Sequence, residues 1–133
     1  MATHRMVEHV GEIELELEGA SKSDVFAEAT VAFRELVDGG PLEEGRFRHE
    51  ILLGPEPADL LLVDWLDELV FLAEVERFVP LRVAELELGN GRLRGVVEGR
   101  RGRPRHLVKG ATLHDLRLTR DRECWHGRVV LDV

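Results

Sequence analysis

Two short acidic segments lie near opposite ends of the 133-residue chain. Glu8-His9-Val10-Gly11-Glu12 leads into an alternating stretch, and Leu131-Asp132-Val133 closes the sequence. Each places a carboxylate at the end of an expected strand. If those strands are neighbours, Glu12, Asp132 and the terminal carboxylate of Val133 converge. Three anionic oxygen donors without a thiolate suit a hard cation such as Ca²⁺, Mg²⁺ or Mn²⁺. Strand-end acids are common, and spacing alone does not require this convergence.

Other residue pairs offer weaker chemistry. Asp64 and Glu68 are four apart on an expected helix and share a face. Two carboxylates can hold a metal, but no histidine stands at the spacing a di-iron helix would need, so a solvated stripe is the simpler reading. Cys124 and His126 alternate on an expected strand and face the same side. A nucleophilic Cys–His pair is formally available, against the plainer reading of a small buried residue beside an exposed histidine. The stretch Arg100-Arg101-Gly102-Arg103-Pro104-Arg105-His106 is the densest cation cluster. Arginine forks match phosphate oxygens, so it is a candidate RNA contact, although no aromatic side chains interleave to stack bases. No GxxxxGK[ST] loop and no GxGxxG after a strand is present, which leaves no phosphate-cradling motif.

The elements that position these residues follow from periodicity. Glu12 to Glu18 alternates Ile13, Leu15, Leu17 with glutamates, a half-buried strand. Ser21 or Ser23 can cap a helix running to about Val37, whose apolar face is Phe26, Ala29, Ala32, Phe33, Leu36 and Val37. Gly39-Gly40-Pro41 ends it. Arg46 to Leu53 reads as a strand. Asp59 to Glu76 is apolar over most of its circumference and predicts a central helix, with Asp59 placed to favour the dipole. Val79 to Leu88 and Leu93 to Val97 are strands joined at Asn90-Gly91. Gly99 to Arg105 is expected as a basic loop. Leu113 to Leu118 and Cys124 to Asp132 form a last hairpin around Arg120-Asp121-Arg122. The expected order is strand, helix, strand, helix, then four strands. This is an α+β fold: one domain over residues 1–133, a sandwich of two helices packed on an antiparallel or mixed β-sheet.

Composition agrees. The length supports one core, and 44% hydrophobic residues argue for a folded globule. The longest central apolar run stops at Asp64, and no apolar stretch follows the first residues, so neither a membrane span nor a signal peptide is expected. A lone cysteine makes no internal disulfide and no thiolate zinc site. A cytoplasmic protein is the default. Residues 1–91 hold 21 acids against 7 Lys/Arg, whereas residues 92–133 hold 5 against 11. That asymmetry within a net charge of −8 suggests polarised contacts with a partner more than general nucleic-acid binding.

Four segments together resemble the archease family. Glu8-His9-Val10-Gly11-Glu12-Ile13 is similar to the family's Asp-His-Thr-Ala-Asp-Ile opening. Ala27-Glu28-Ala29 through Phe33 and Leu36 resembles its EEAFxxAAxALFxLM helix. Asp59-Leu60-Leu61 through Trp65-Leu66-Asp67-Glu68-Leu69 and Phe71-Leu72 resembles DLLxxWLxELLFL, the most specific match. Lys109-Gly110-Ala111-Thr112-Leu113-His114 looks like KAxTYH, followed by a hairpin ending in Leu131-Asp132-Val133. In order, they span nearly the whole chain. The resemblance implies a small α+β protein that activates the GTP-dependent RNA ligase of tRNA splicing and RNA repair, which seals 3′-phosphate ends. The implied role is to promote ligase guanylylation and turnover. It also implies a divalent metal, Ca²⁺ first and Mg²⁺ or Mn²⁺ next, held by Glu12, Asp132 and the terminal carboxylate of Val133. Glu8, His9, Lys109 and His114 fall on neighbouring family positions, the histidines as ordering groups more than as ligands. Both opening aspartates of the family are glutamates here, Thr is Val10, and the tyrosine before His114 is Leu113. A glutamate is one methylene longer and changes the fit of a tight oxygen site.

The expected function is therefore an activator of that ligase and not an enzyme, with RNA contact through Arg100–Arg105 as a further partner expectation. The alternative is a divergent RNA- or protein-binding module of the same fold without metal chemistry. A small metal-dependent hydrolase is a third option, against which no paired base and nucleophile is visible.

Overall fold

In a computed structural model describing residues 2–133, the chain folds as seven strands and two helices. They run β1 (Thr3–His9), β2 (Glu12–Gly19), α1 (Lys22–Val37), β3 (Phe47–Leu53), α2 (Ala58–Val75), β4 (Phe78–Gly89), β5 (Arg92–Arg101), β6 (Gly110–Asp121) and β7 (Cys124–Asp132). Two sheets form, both antiparallel: β1-β2-β7-β6 and β3-β5-β4. Each helix touches both sheets, α1 against β2 and β4 and α2 against β6, β4 and β3. The core lies where they meet, around Trp65, Phe26, Phe33 and Phe78, all fully buried.

The local signals act as their chemistry predicts. Ile13, Leu15 and Leu17 turn one face of β2 into the core. Ser21, not Ser23, caps α1, its Oγ accepting from Asp24 N at 3.1 Å. Asn90 and Gly91 have φ of 54° and 72°, the left-handed pair that a two-residue hairpin needs, and Gly89 pairs with Arg92 across it. In α2, nine residues are buried, whereas Phe71 stays half exposed.

The structure corrects the expected order at two places. Thr3–His9 is a strand that periodicity does not reveal, so the fold has seven strands and opens strand, strand, helix. Its helix-facing residues are His4, Met6 and Glu8, set by pairing with Leu17, Leu15 and Ile13. Only one of the three is apolar, so an edge strand held by backbone pairing carries no alternating signature. Secondly, β5 continues to Arg101, so Arg100 and Arg101 stand on a strand opposite Val79 and Phe78, and only the residues after them form the connection to β6. Backbone pairing with β4 extends the strand past the apolar run.

One buried polar link joins the helices. Trp65 Nε1 donates to Thr30 Oγ1 at 2.9 Å, and that hydroxyl donates to Phe26 O at 3.0 Å.

Candidate acidic site at the end of the four-stranded sheet

Val10-Gly11 reverses the chain between β1 and β2, with Gly11 at φ 76°. His9 then pairs with Glu12, and on its other edge β2 pairs with β7, with Glu12 opposite Asp132. Directly opposed residues of an antiparallel pair project to one side, with Cα atoms about 5 Å apart. Ile13 and Leu131 take the core side, so Glu12 and Asp132 share the outer face, both half-buried. Val133 N donates to Gly11 O at 3.1 Å, which ties residue 133 to the β1–β2 turn. Lys109 N donates to Asp132 O at 2.8 Å, and Gly110 pairs with Asp132. The sheet order, with the first two strands beside the last two, is what brings these sequence-distant acids together.

A cleft of about 730 Å³ opens at this end of the sheet. Glu8, His9, Glu12 and Val133 line one side, with Arg105 and Leu107 among the residues of the other. Glu8 and His9 take opposite faces of β1, Glu8 beside Ile13 and His9 beside Glu12. On the outer face the site continues into an ionic network. Glu14, 9% exposed, accepts from Arg128 Nη2 at 2.6 Å, and Arg128 lies 3.5 Å from Asp115 Oδ2. His9 Nε2 lies 3.9 Å from Glu14 and His114 Nε2 lies 3.3 Å from Asp115. Both histidines thus border one carboxylate–guanidinium chain whose other members, Glu14, Arg128 and Asp115, sequence reasoning did not single out. Glu14 looked like one more wet glutamate of β2, and only its position against β7 buries it.

Among the described residues no three His, Cys, Asp or Glu side chains gather into a metal cage. The donor set at the sheet end is two side-chain carboxylates on one face, with residue 133 tethered beside them, and all its donors are oxygens. An all-oxygen donor set of this kind is chemically suited to a hard cation.

Asp67 is a further residue that the spacing did not flag. From α2 its Oδ1 accepts from Ala111 N at 2.8 Å, fixing the start of β6 beside Lys109. Burial raises its carboxyl above the ordinary range despite that bond, and the charge of Asp64 adds to the rise.

The other candidates are placed differently. Asp64 meets Glu56 and not a shared ligand with Glu68, which is exposed. Glu56 Oε1 is shielded without a donor partner. A hydrogen bond with Asp64, then burial and the charges of Asp64 and Asp59, push the Glu56 carboxyl up to about 7. A carboxyl raised in the folded state favours folding on the acid side. That contribution is lost as pH rises from the ordinary value of 4.5 through about 7. Glu56→Gln is therefore expected to flatten the stability profile between about pH 5 and about pH 8 in urea titrations, and an unchanged slope would dismiss the shared proton.

Burial pushes the Cys124 thiol up, and the charge of Glu18 adds to it, which is the opposite of what a nucleophile needs. The arginines of the basic stretch are largely engaged within the chain. Arg100 Nε donates to Glu43 O at 2.9 Å, Arg101 stacks over the Phe47 ring at 4.7 Å, and Arg105 Nη2 donates to Glu35 O at 2.6 Å at the end of α1. Among the described residues no helix is long and apolar enough to cross a membrane.

Comparison with known proteins places the whole chain. The model of the Archease protein family (MTH1598/TM1083) matches residues 4–133. Protein archease of Methanosarcina acetivorans is 30% identical over 140 aligned positions, covering 98% of this chain and 95% of the relative. Protein archease of Pyrobaculum neutrophilum is 26% identical, covering 99% and 96%. Among solved structures, an archease and possible chaperone from Thermotoga maritima superposes with a TM-score of 0.70 at 21% identity, and protein 1598 of Methanobacterium thermoautotrophicum with 0.74 at 24%; each comparison covers 98% of both chains. These likenesses carry the same α+β fold over its full length. The chain belongs to the archease family.

Proposed function

We propose that this protein activates a GTP-dependent RNA ligase that seals 3′-phosphate ends, promoting the ligase's guanylylation and turnover while leaving the sealing chemistry to the ligase. The observation that carries this reading is family membership over residues 4–133. The register that opposes Glu12 to Asp132 supports the metal-dependent part of it. Glu12, Asp132 and the Val133 carboxylate would hold the ion, with Ca²⁺ the first choice and Mg²⁺ or Mn²⁺ the others. When bound, the ion supplies positive charge that an incoming phosphate or carboxylate oxygen can meet. The chain's own part is positional. The Val133 N–H on Gly11 O and the Lys109 N–H on Asp132 O fix the chain end. Asp67 fixes the start of β6 from the helix side. The Glu14–Arg128–Asp115 network braces the face on which Glu12 and Asp132 stand.

Three of the four arginines in Arg100–Arg105 are engaged internally, which favours a protein partner over direct RNA contact. The test is guanylylation of the 3′-phosphate RNA ligase from the same cell, followed as GMP adduct with and without this protein. Faster adduct formation and multiple turnovers are expected. Rates unaffected by a stoichiometric amount, with and without added Ca²⁺ or Mn²⁺, would remove the reading.

A further inference from the structure

We propose that His4 is a pH-sensitive staple that holds the edge strand β1 against α1, closed while its ring carries both protons and released when it loses one. The geometry makes the case. The His4 Nδ1 bonds Glu28 Oε2, and its Nε2 lies 2.9 Å from Glu35 Oε2. An ionised carboxylate only accepts, and a neutral imidazole has a single N–H. A neutral ring would therefore turn a lone pair toward one of the two carboxylates. Both N–H groups are needed to satisfy the arrangement, and His4 and Glu28 are each only 13% exposed at the side chain.

β1 has little else on its inner side. Met6 is partly buried against the core, and Glu8 faces the cleft. The staple is thus the main side-chain tie on the inner face of an edge strand whose far end carries Glu8 and His9. The charged groups around it come from each neighbouring element. Glu28 and Glu35 belong to α1, and Arg5, next along β1, is paired with Glu16 of β2. Glu18 of β2, Arg117 of β6, and His126 and Arg128 of β7 line the shallow groove that reaches His4. Arg105 bonds the Glu35 carbonyl, not its carboxylate. Burial acts to lower the affinity of the ring for its second proton, but the bonds and charges of Glu28 and Glu35 outweigh it and hold the ring above its ordinary 6.5. The stabilisation is therefore complete below that ordinary value and is lost as pH rises through the higher folded one. Global stability cannot isolate this effect, because Glu56 titrates with the same sign. The readout must be local.

Ring nitrogen NMR and amide hydrogen exchange across residues 3–9, corrected for intrinsic rates, supply it. At about pH 6, both His4 nitrogens are expected to be protonated, and β1 protection is expected to fall at least about tenfold between about pH 5.5 and about pH 8.5. His4→Gln should leave β1 weakly protected and flat with pH, while amides of α1 are unchanged. Should that variant fail to fold, Glu35→Gln removes the more exposed acceptor and should lower the His4 midpoint. A singly protonated ring at pH 6, flat protection in the natural protein, or an unmoved midpoint in Glu35→Gln would each overturn the proposal.

Discussion

Asp132→Asn is expected to keep the fold and lose on the order of tenfold or more in affinity for Ca²⁺ and Mn²⁺. The substitution preserves shape but removes one of the anionic ligands proposed for the ion. Affinity at an oxygen site depends on ligand charge as well as on number. The last strand is anchored independently, since Val129 and Leu131 are fully buried and Asp132's backbone still pairs with Glu12 and Gly110. Glu12→Gln should behave alike from the facing strand. Two glycines added after Val133 replace its carboxylate by a neutral amide carbonyl and are expected to have the same effect. Asp121→Asn, at the other end of β6 opposite Cys124, is the control and should change nothing. Calorimetric titration with each ion decides the matter, and stimulation of ligase guanylylation should fall in step. Natural affinity in Asp132→Asn would show that the sheet end holds no ion through that residue. Natural affinity in the extended protein alone would exclude only Val133.

Trp65→Ala should be the most damaging single core substitution, costing about 3–5 kcal/mol of a total typically near 5–15 kcal/mol. The indole is fully buried at the centre of α2. It packs so closely on β5 that a Cβ at Gly95 would come within 2.6 Å of the ring. No small residue can refill that space, because the void is bounded by a strand and two helices. The ring also donates to Thr30, so a second effect is separable. Thr30→Val keeps the volume but leaves the indole N–H without an acceptor, at about 1–3 kcal/mol. Trp65→Phe should fall between the two. Urea unfolding with unchanged m-values measures all three. A loss below about 1 kcal/mol for Trp65→Ala would mean that the core collapses around the gap.

The elements that sequence determined by itself are those whose signal is local. Ile13, Leu15 and Leu17 alternate because one face of β2 is apolar. A serine at 21 or 23 marks the start of α1 because a serine oxygen meets a free N–H of the first turn, and the structure chooses Ser21. Asn90-Gly91 turns because both tolerate positive φ. The resemblance of four ordered segments added the family, which the match over residues 4–133 bears out. What tertiary structure decided is everything that depends on register between distant elements. β1 escaped the pattern because its inward positions are His4, Met6 and Glu8, and a histidine held by two helix carboxylates substitutes for an apolar contact. Glu14 is buried because it lies between Val7 of β1 and Val130 of β7, and there it meets Arg128, 114 positions away. Arg100, Arg101 and Arg105 looked free for a phosphate, yet they meet a carbonyl, a ring and a helix end of their own chain. Periodicity records which side of an element avoids water. It does not record which polar group waits opposite, because that partner is set by the order and register of strands and not by spacing along the chain.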